Sequence, residues 1–504
     1  MKINHHRQRE FFEYPFYILG LSLFPPLALY ALNLGELSLS SLWRPLVFSF
    51  LFGLLVFAII FVFKQKIKDA GLITVFTLLP VYLYGHVYLL FKNQTVFGIL
   101  LGRHRVLFPI FMLGSVLLLW FVLKQGNKFS ALHQILNIVF LTLMVFELVL
   151  IIPYEVKSAF NRQQGENAAS TSDEREPENT SPDIYLIVLD SYMRSDWLKD
   201  SMGLENTGFL QELESLGFTI ADCSRSNYSY TIQSMTSELS MNYLQDLDLQ
   251  MNNLDLSAAL KNSPVRKMLA DEGYEFIFFE TGYPWIEMKD ADRFIESDVT
   301  AAWDAFELMF LETTMFKIPY DMYLRNNAEL STEDRLLQDR GEGIKSILTQ
   351  LNPSLKNDAP MFVYAHIISP HSPYLFTSEG GINVDWELHP QDAARSTYQY
   401  LNKRMIEVLS EIVLNSENDP IIILQADHGN GDGRYRNLIL NAYYLPGIGS
   451  DSLYSTITPV NTFRLVFNHY FGMDYPFLED LGYYSPDNDR YNFELIEDPY
   501  DRCR

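Results

Sequence analysis

The chain is 504 residues long, 48% hydrophobic and 20% charged, which is too long for one ordinary domain and too apolar for a disordered one. Its net charge of −24 is unevenly spread: residues 1–160 hold 13 Lys+Arg against 6 Asp+Glu, a balance of +7, leaving −31 for the remainder. The acidic remainder excludes nucleic acid as a partner, because a binder needs a basic footprint to displace counterions. The two cysteines, Cys223 and Cys503, exclude a disulfide framework and a thiolate zinc cluster.

Five long apolar runs fill the first third: Phe16–Leu34, Pro45–Phe63, Gly71–Phe91, Val106–Leu123 and Ile135–Pro153. Each approaches the roughly 20 residues that a helix needs to cross a hydrocarbon core, so residues 1–153 are expected to form a membrane domain of five transmembrane helices. The connections set the orientation. Lys2, Arg7, Arg9, Lys64, Lys66, Lys68, Lys124 and Lys128 lie on one side, against Arg44, Lys92, Arg103 and Arg105 on the other. The richer side is cytoplasmic. An odd number of spans then places everything after Pro153 outside the plasma membrane.

Residues 154–182 read as a polar linker, since Asn161 to Pro182 (NRQQGENAASTSDEREPENTSP) offers nothing to bury. From Asp183 apolar runs alternate with helical patterns. Strands are expected at Ile184–Leu189, Phe218–Ala221, Phe276–Phe279, Phe362–His366, Ile421–Gln425 and Leu438–Leu445. Helices are expected near Phe209–Leu216, Ile232–Tyr243, Leu256–Asp271, Asp334–Leu351, Ala393–Val413 and Val460–Tyr470. This order predicts an α/β domain over 183–475, its mostly parallel sheet covered by helices on both faces, and a tail over 476–504. Ligands of such a sheet gather beyond the carboxyl ends of its strands.

Four polar clusters fall at those ends. DIYLIVLDS ends in Asp190, a carboxylate that is costly to bury unless it is paired or metal-bound. IIILQADHGNGDG places Asp427 and His428 side by side, an oxygen and an imidazole nitrogen for one cation, with glycines that admit a close backbone approach. SRSNYSYTIQSMTSELS puts Thr231 at a helix start, where free N–H groups and the helix dipole favour phosphate or sulfate. A hydroxyl touching a divalent cation becomes a nucleophile, and Ser229, Ser234 and Ser237 compete for that role. HIISPHSPY carries His366 and His371, imidazoles suited to holding ester oxygens or protonating a leaving group.

In this order the clusters resemble the alkaline phosphatase and sulfatase superfamily, and the layout is similar to that of lipoteichoic-acid synthases and related phosphoglycerol and phosphoethanolamine transferases. The resemblance implies a sulfatase-like fold. It implies Asp190, Thr231, Asp427 and His428 as ligands of one divalent cation (Mn, Zn or Mg), with Thr231 also the nucleophile. It further implies substrate-side histidines at His366 and His371, the latter assisting the leaving group, and substrate contacts from Asn227 and Arg225. Cys223 is followed by Ser-Arg-Ser-Asn, so the Cys-x-Pro-x-Arg signature of common sulfatases is absent. The expected activity is transfer or hydrolysis of a lipid-derived phosphodiester at the outer membrane surface, with membrane lipids and an envelope glycan or polymer as partners. The alternatives are a sulfatase-type hydrolase and a catalytically silent glycan-binding scaffold.

Overall fold

The computed structural model describes residues 14–34, 39–124, 132–169, 181–283, 285–299, 305–326, 332–352, 355, 359–383, 389–416, 418–431, 433–448 and 453–497. They form two compact units, Met1–Lys157 with Ala301–Arg335, and Ser158–Thr300 with Leu336–Arg504.

The first unit is helical. Its helices are α1 (Tyr17–Leu32), α2 (Leu39–Lys64), α3 (Ile67–Phe91), α4 (His104–Lys124) and α5 (Leu132–Ala169). Four of them, α2 to α5, are long and apolar enough to cross a membrane. The first expected span differs. α1 has 16 residues, with Pro25 and Pro26 inside it. At 1.5 Å per residue that is about 24 Å, short of a core about 30 Å thick. α5 also runs to Ala169, so the helix enters the stretch expected to be linker.

Residues 301–335 are the larger departure, for the sequence placed them within the 183–475 domain. α7 (Ala305–Thr313) and α8 (Lys317–Asn326) pack on the membrane helices instead. Phe306 is fully buried edge-on to Tyr30, and Glu307 pairs with Arg44 at 2.9 Å. Phe316 meets Phe48 and Phe52, and the Met315 N–H donates to the Val81 carbonyl. Gly85 is required here, because a Cβ would stand 2.2 Å from the Glu312 carbonyl oxygen. Lys317 links Glu312 (2.7 Å) and Asp321 (3.1 Å), and His104 reaches Asp321 at 2.8 Å.

The second unit is built on a seven-stranded sheet. Its strands are β1 (Ile184–Leu189), β2 (Thr219–Ile220), β3 (Glu275–Phe279), β4 (Arg293–Ile295), β5 (Met361–Ile367), β6 (Ile421–Gln425) and β7 (Asn441–Tyr444), in the order β2-β7-β6-β1-β5-β3-β4. The run from β6 to β4 is parallel, and β7 is antiparallel to both its neighbours. β1 lies at the centre with all six residues buried, which a strand covered on both faces requires.

Strand parity divides the core. Tyr185, Ile187, Leu189, Val363, Ala365, Ile422 and Leu424 pack against α9 (Thr332–Gln350) and α10 (Pro390–Asn415). Ile184, Leu186, Val188, Phe362, Tyr364, Ile421 and Ile423 pack on the other face against α6 (Thr231–Ser240). The expected helix over Leu256–Asp271 is two helices, Asn253–Lys261 and Pro264–Asp271, because Pro264 starts a new one. The expected tail also belongs to this domain, with Leu481, Tyr483 and Phe493 packed on the α6-side core.

Candidate metal and active site

Side chains alternate along a strand, so the residues two beyond Val188, Tyr364 and Ile423 continue the face covered by α6. Those positions are Asp190, His366 and Gln425, and Asp427 follows Gln425 by the same step. Register aligns them, with Val188 opposite both His366 and Gln425. Chemistry-bearing groups from three adjacent strands thus reach the carboxyl edge together, beside the first residue of α6, Thr231.

Asp190, Asp427 and His428 are buried, and their ligand atoms lie within 4.8 Å of one another, a group able to hold a metal ion. His428 Nε2 is 3.4 Å from Asp427 Oδ2, 3.9 Å from Asp190 Oδ1 and 3.4 Å from Thr231 Oγ1. Its Nδ1 lies 2.8 Å from the Gly429 carbonyl oxygen. A carbonyl only accepts, so Nδ1 carries the proton and the Nε2 lone pair faces the cluster, the tautomer of a metal ligand. Gly429 is needed for packing rather than for ligand access, since a Cβ there would come within 2.5 Å of the Leu438 carbonyl oxygen.

His366 sits differently from its expected place on the substrate side. Its side chain is fully buried, and Nε2 lies 3.9 Å from Asp190 Oδ2 and 3.8 Å from Asp427 Oδ2. Both His366 Nε2 and Asp427 Oδ2 are buried without a hydrogen-bond partner. Such orphans are costly unless something unites them, and a cation among mixed N and O donors does so. The residues therefore fit a divalent ion, and His366 Nε2 stands near enough to both carboxylates to join them in holding it. Burial, abetted by nearby imidazoles and opposed by Asp427, pushes the His366 pKa down to about 4 and keeps the ring neutral. Burial and the Asp427 charge raise the Asp190 carboxyl. For Asp427 burial acts upward, but His428, His366, Thr231 and the Ser191 N–H together hold it below its usual range.

Geometry separates the competing hydroxyls. Ser229 donates to Asn437 Oδ1, Ser234 to the Tyr228 carbonyl and Ser237 to the Asn242 carbonyl, and all three are buried. Thr231 faces the cluster and is partly open to solvent. A further hydroxyl, Ser191, follows Asp190 at the end of the same apolar run. Ser191 Oγ donates to Asp190 Oδ1 at 3.0 Å and lies 3.3 Å from His428 Nδ1, while its N–H donates to Asp427 Oδ1 at 3.1 Å. Its φ of 65° turns the chain sharply after β1, and its burial leaves Thr231 the more accessible hydroxyl beside the cluster. The signal was present in the Asp-Ser pair ending a continuous apolar strand.

His371 is half-buried, with Nδ1 2.5 Å from the Ser372 carbonyl oxygen, and burial lowers its pKa. Of the two expected substrate contacts, Asn227 is taken up in structural bonds. Asn227 is buried, its amide bonded to Thr458, the Leu481 carbonyl, Tyr243 and the Val460 N–H, so it anchors the C-terminal segment. The Arg225 side chain packs beside Gly482. Cys223 is disulfide-bonded, and Cys503 is the chain's other cysteine.

No family model matches the chain, and no curated protein matches it. Solved structures do. One is the C-terminal periplasmic domain of EptC from Escherichia coli in complex with zinc, at 12% identity and TM-score 0.42, covering 64% of this chain and 94% of that one. Another is the 2-O GAG sulfatase BT1596, at 12% identity and TM-score 0.39, covering 59% and 72%. A third is the lipoteichoic acid synthase LtaP from Listeria monocytogenes, at 11% identity and TM-score 0.33, covering 57% and 72%. At these scores none of them decides what this chain does, so its own geometry has to.

Proposed function

We propose that this chain is a membrane-anchored, metal-dependent phosphotransferase of the alkaline phosphatase and sulfatase superfamily, working on a lipid-derived phosphodiester at the outer face of the plasma membrane. The observation that carries this reading is the gathering of Asp190, Thr231, Asp427 and His428 at one strand edge, with unpartnered ligand atoms pointing inward. Asp190, Asp427, His428 and His366 would hold the cation. A divalent ion there would lower the pKa of the Thr231 hydroxyl and offset charge on phosphoryl oxygens.

Thr231 Oγ1 gives up its proton to the neutral His371 ring and forms a bond to phosphorus as the bond from phosphorus to the lipid glycerol oxygen breaks, and His371 passes that proton to the departing oxygen. An acceptor hydroxyl, from an envelope glycan or from water, then attacks phosphorus and releases Thr231, which regains its proton. Position at the start of α6 directs N–H groups at the anion. The disulfide at Cys223 removes that thiol from formylglycine chemistry, which favours phosphoryl over sulfuryl transfer. A silent scaffold would give no reason to bury unpartnered ligand atoms.

Two observations support the outward placement. Disulfides persist in oxidising compartments. α7 and α8 also touch the helix ends that the Lys/Arg bias assigns outside, at Tyr30, Arg44, Gly85 and His104. The direct test is intact mass spectrometry of the acid-quenched full chain after exposure to a membrane lipid extract. A headgroup-phosphate adduct lost in Thr231→Ala is expected. No adduct in the metal-loaded wild type, or one that survives in Thr231→Ala, would overturn the reading.

A further inference from the structure

Arg340 was not singled out by its sequence context, a helix face rich in acidic residues. α9, which carries it, covers the sheet face opposite α6. Its guanidinium nevertheless reaches the carboxyl edge, where Nη2 donates to the Ile368 carbonyl at 3.3 Å. The neighbouring Ile367 carbonyl accepts the backbone N–H of Asp190 at 2.9 Å. One peptide unit therefore separates the anchor of this guanidinium from the anchor of a candidate metal ligand.

Two features mark Arg340 as more than a staple between helix and loop. Among the described residues no carboxylate comes within ion-pair distance of it, in a chain with 62 acidic and only 38 basic residues. A guanidinium has five N–H donors in a rigid fork, and the Ile368 bond employs one of them. Burial disfavours the cation, and the charge of Asp190 partly offsets that. A partly buried cation with no ion-pair partner among the described residues, anchored next to a cluster suited to a metal, is the complement of an oxyanion that arrives with substrate.

We propose that Arg340 is the anion-binding side chain of the site, its free N–H groups holding non-bridging phosphoryl oxygens of the substrate. Thr231 approaches phosphorus from the α6 face and Arg340 grips from the α9 face. The proposal rests on the phosphodiester reading above and narrows it, because a neutral substrate would leave this guanidinium unanswered.

The test uses the detergent-solubilised full chain loaded with Mn²⁺, with bis(p-nitrophenyl) phosphate as substrate and inorganic phosphate as ligand. Arg340→Gln retains a donor for Ile368 and removes the charge. It should raise KM and weaken phosphate binding by titration calorimetry about tenfold or more, with metal content unchanged and Arg340→Lys recovering part of the loss. Wild-type KM and wild-type phosphate affinity in Arg340→Gln would overturn the proposal. Should the wild type bind phosphate but not cleave the diester, the phosphotransfer reading fails, while the effect of Arg340→Gln on phosphate binding still decides Arg340. If Arg340→Gln does not fold, phosphate affinity in Arg340→Lys decides instead: unchanged affinity counts against the proposal, and loss supports it.

Discussion

Asp427 Oδ2 and His366 Nε2 face each other across 3.8 Å, both buried and neither with a hydrogen-bond partner. Leaving such groups unsatisfied costs on the order of 1–3 kcal/mol each, a cost that a partner from outside the chain would relieve. On the proposed reading a divalent cation would be that partner, which separates the role of His366, in β5, from that of His371, in the loop that follows.

His366→Ala is expected to weaken divalent-metal binding about 10- to 100-fold in a metal titration of the full chain. His371→Ala should leave metal affinity unchanged and lower turnover about 100-fold or more. The opposite assignment of effects would show that the inward-facing imidazole is not a ligand.

Glu238, on α6 behind the cluster, accepts a 2.5 Å hydrogen bond from Gln425 Nε2, while Glu238 Oε1 and Gln425 Oε1 are buried without partners. A neutral carboxyl avoids burying a charge beside these unpartnered oxygens. Burial, opposed by the Gln425 bond and aided by Asp427, pushes the Glu238 pKa up to about 8. The unfolded chain releases this proton near the ordinary carboxylate value, so stability falls as pH rises from about 4.5 to about 8. Glu238→Gln should match the wild type in thermal unfolding at pH 5 and exceed it at pH 8, by on the order of 2 kcal/mol. Equal stability at both pH values would mean that the carboxyl is ionised in the fold.

Lys317 holds Glu312 and Asp321 together beneath the ring of Tyr88, almost wholly shielded from solvent. Lys317→Met leaves two carboxylates without their shared cation and should destabilise the packing of α7 and α8 by about 1–3 kcal/mol. Faster proteolytic cleavage within 301–335 reports it. An unchanged cleavage rate would show that apolar packing through Phe306 and Phe316 suffices.

The disulfide at Cys223 predicts that the unreduced chain takes up no maleimide, and that both cysteines react after reduction. Two reactive thiols in protein isolated from intact membranes would contradict an oxidising location.

The parallel core was legible because continuous β-branched runs such as Ile184–Leu189 and Ile421–Gln425 have one stable use, a strand covered on both faces. The edge strand Arg293–Ile295 is too short to stand out. Residues 301–335 were misread for a different reason. Phe306, Leu308 and Phe310 announce a buried helix, but hydrophobic pattern does not say which core buries it. Site residues at strand ends could be found by residue type, whereas the inward turn of His366 and the structural bonds of Asn227 depend on three-dimensional neighbours. Arg340 was invisible because its partner groups, the Ile368 carbonyl and the cluster, are remote in sequence.

On the proposed reading Asp190, Asp427, His428 and His366 share one cation beside Thr231. Elemental analysis by inductively coupled plasma mass spectrometry tests it most directly, on the full chain dialysed against Mn²⁺ or Zn²⁺ and then against metal-free buffer. About one retained ion per chain is expected in the wild type, with loss in an Asp190→Ala, Asp427→Ala double variant. Equal retention by the double variant, or none by the wild type, would contradict it.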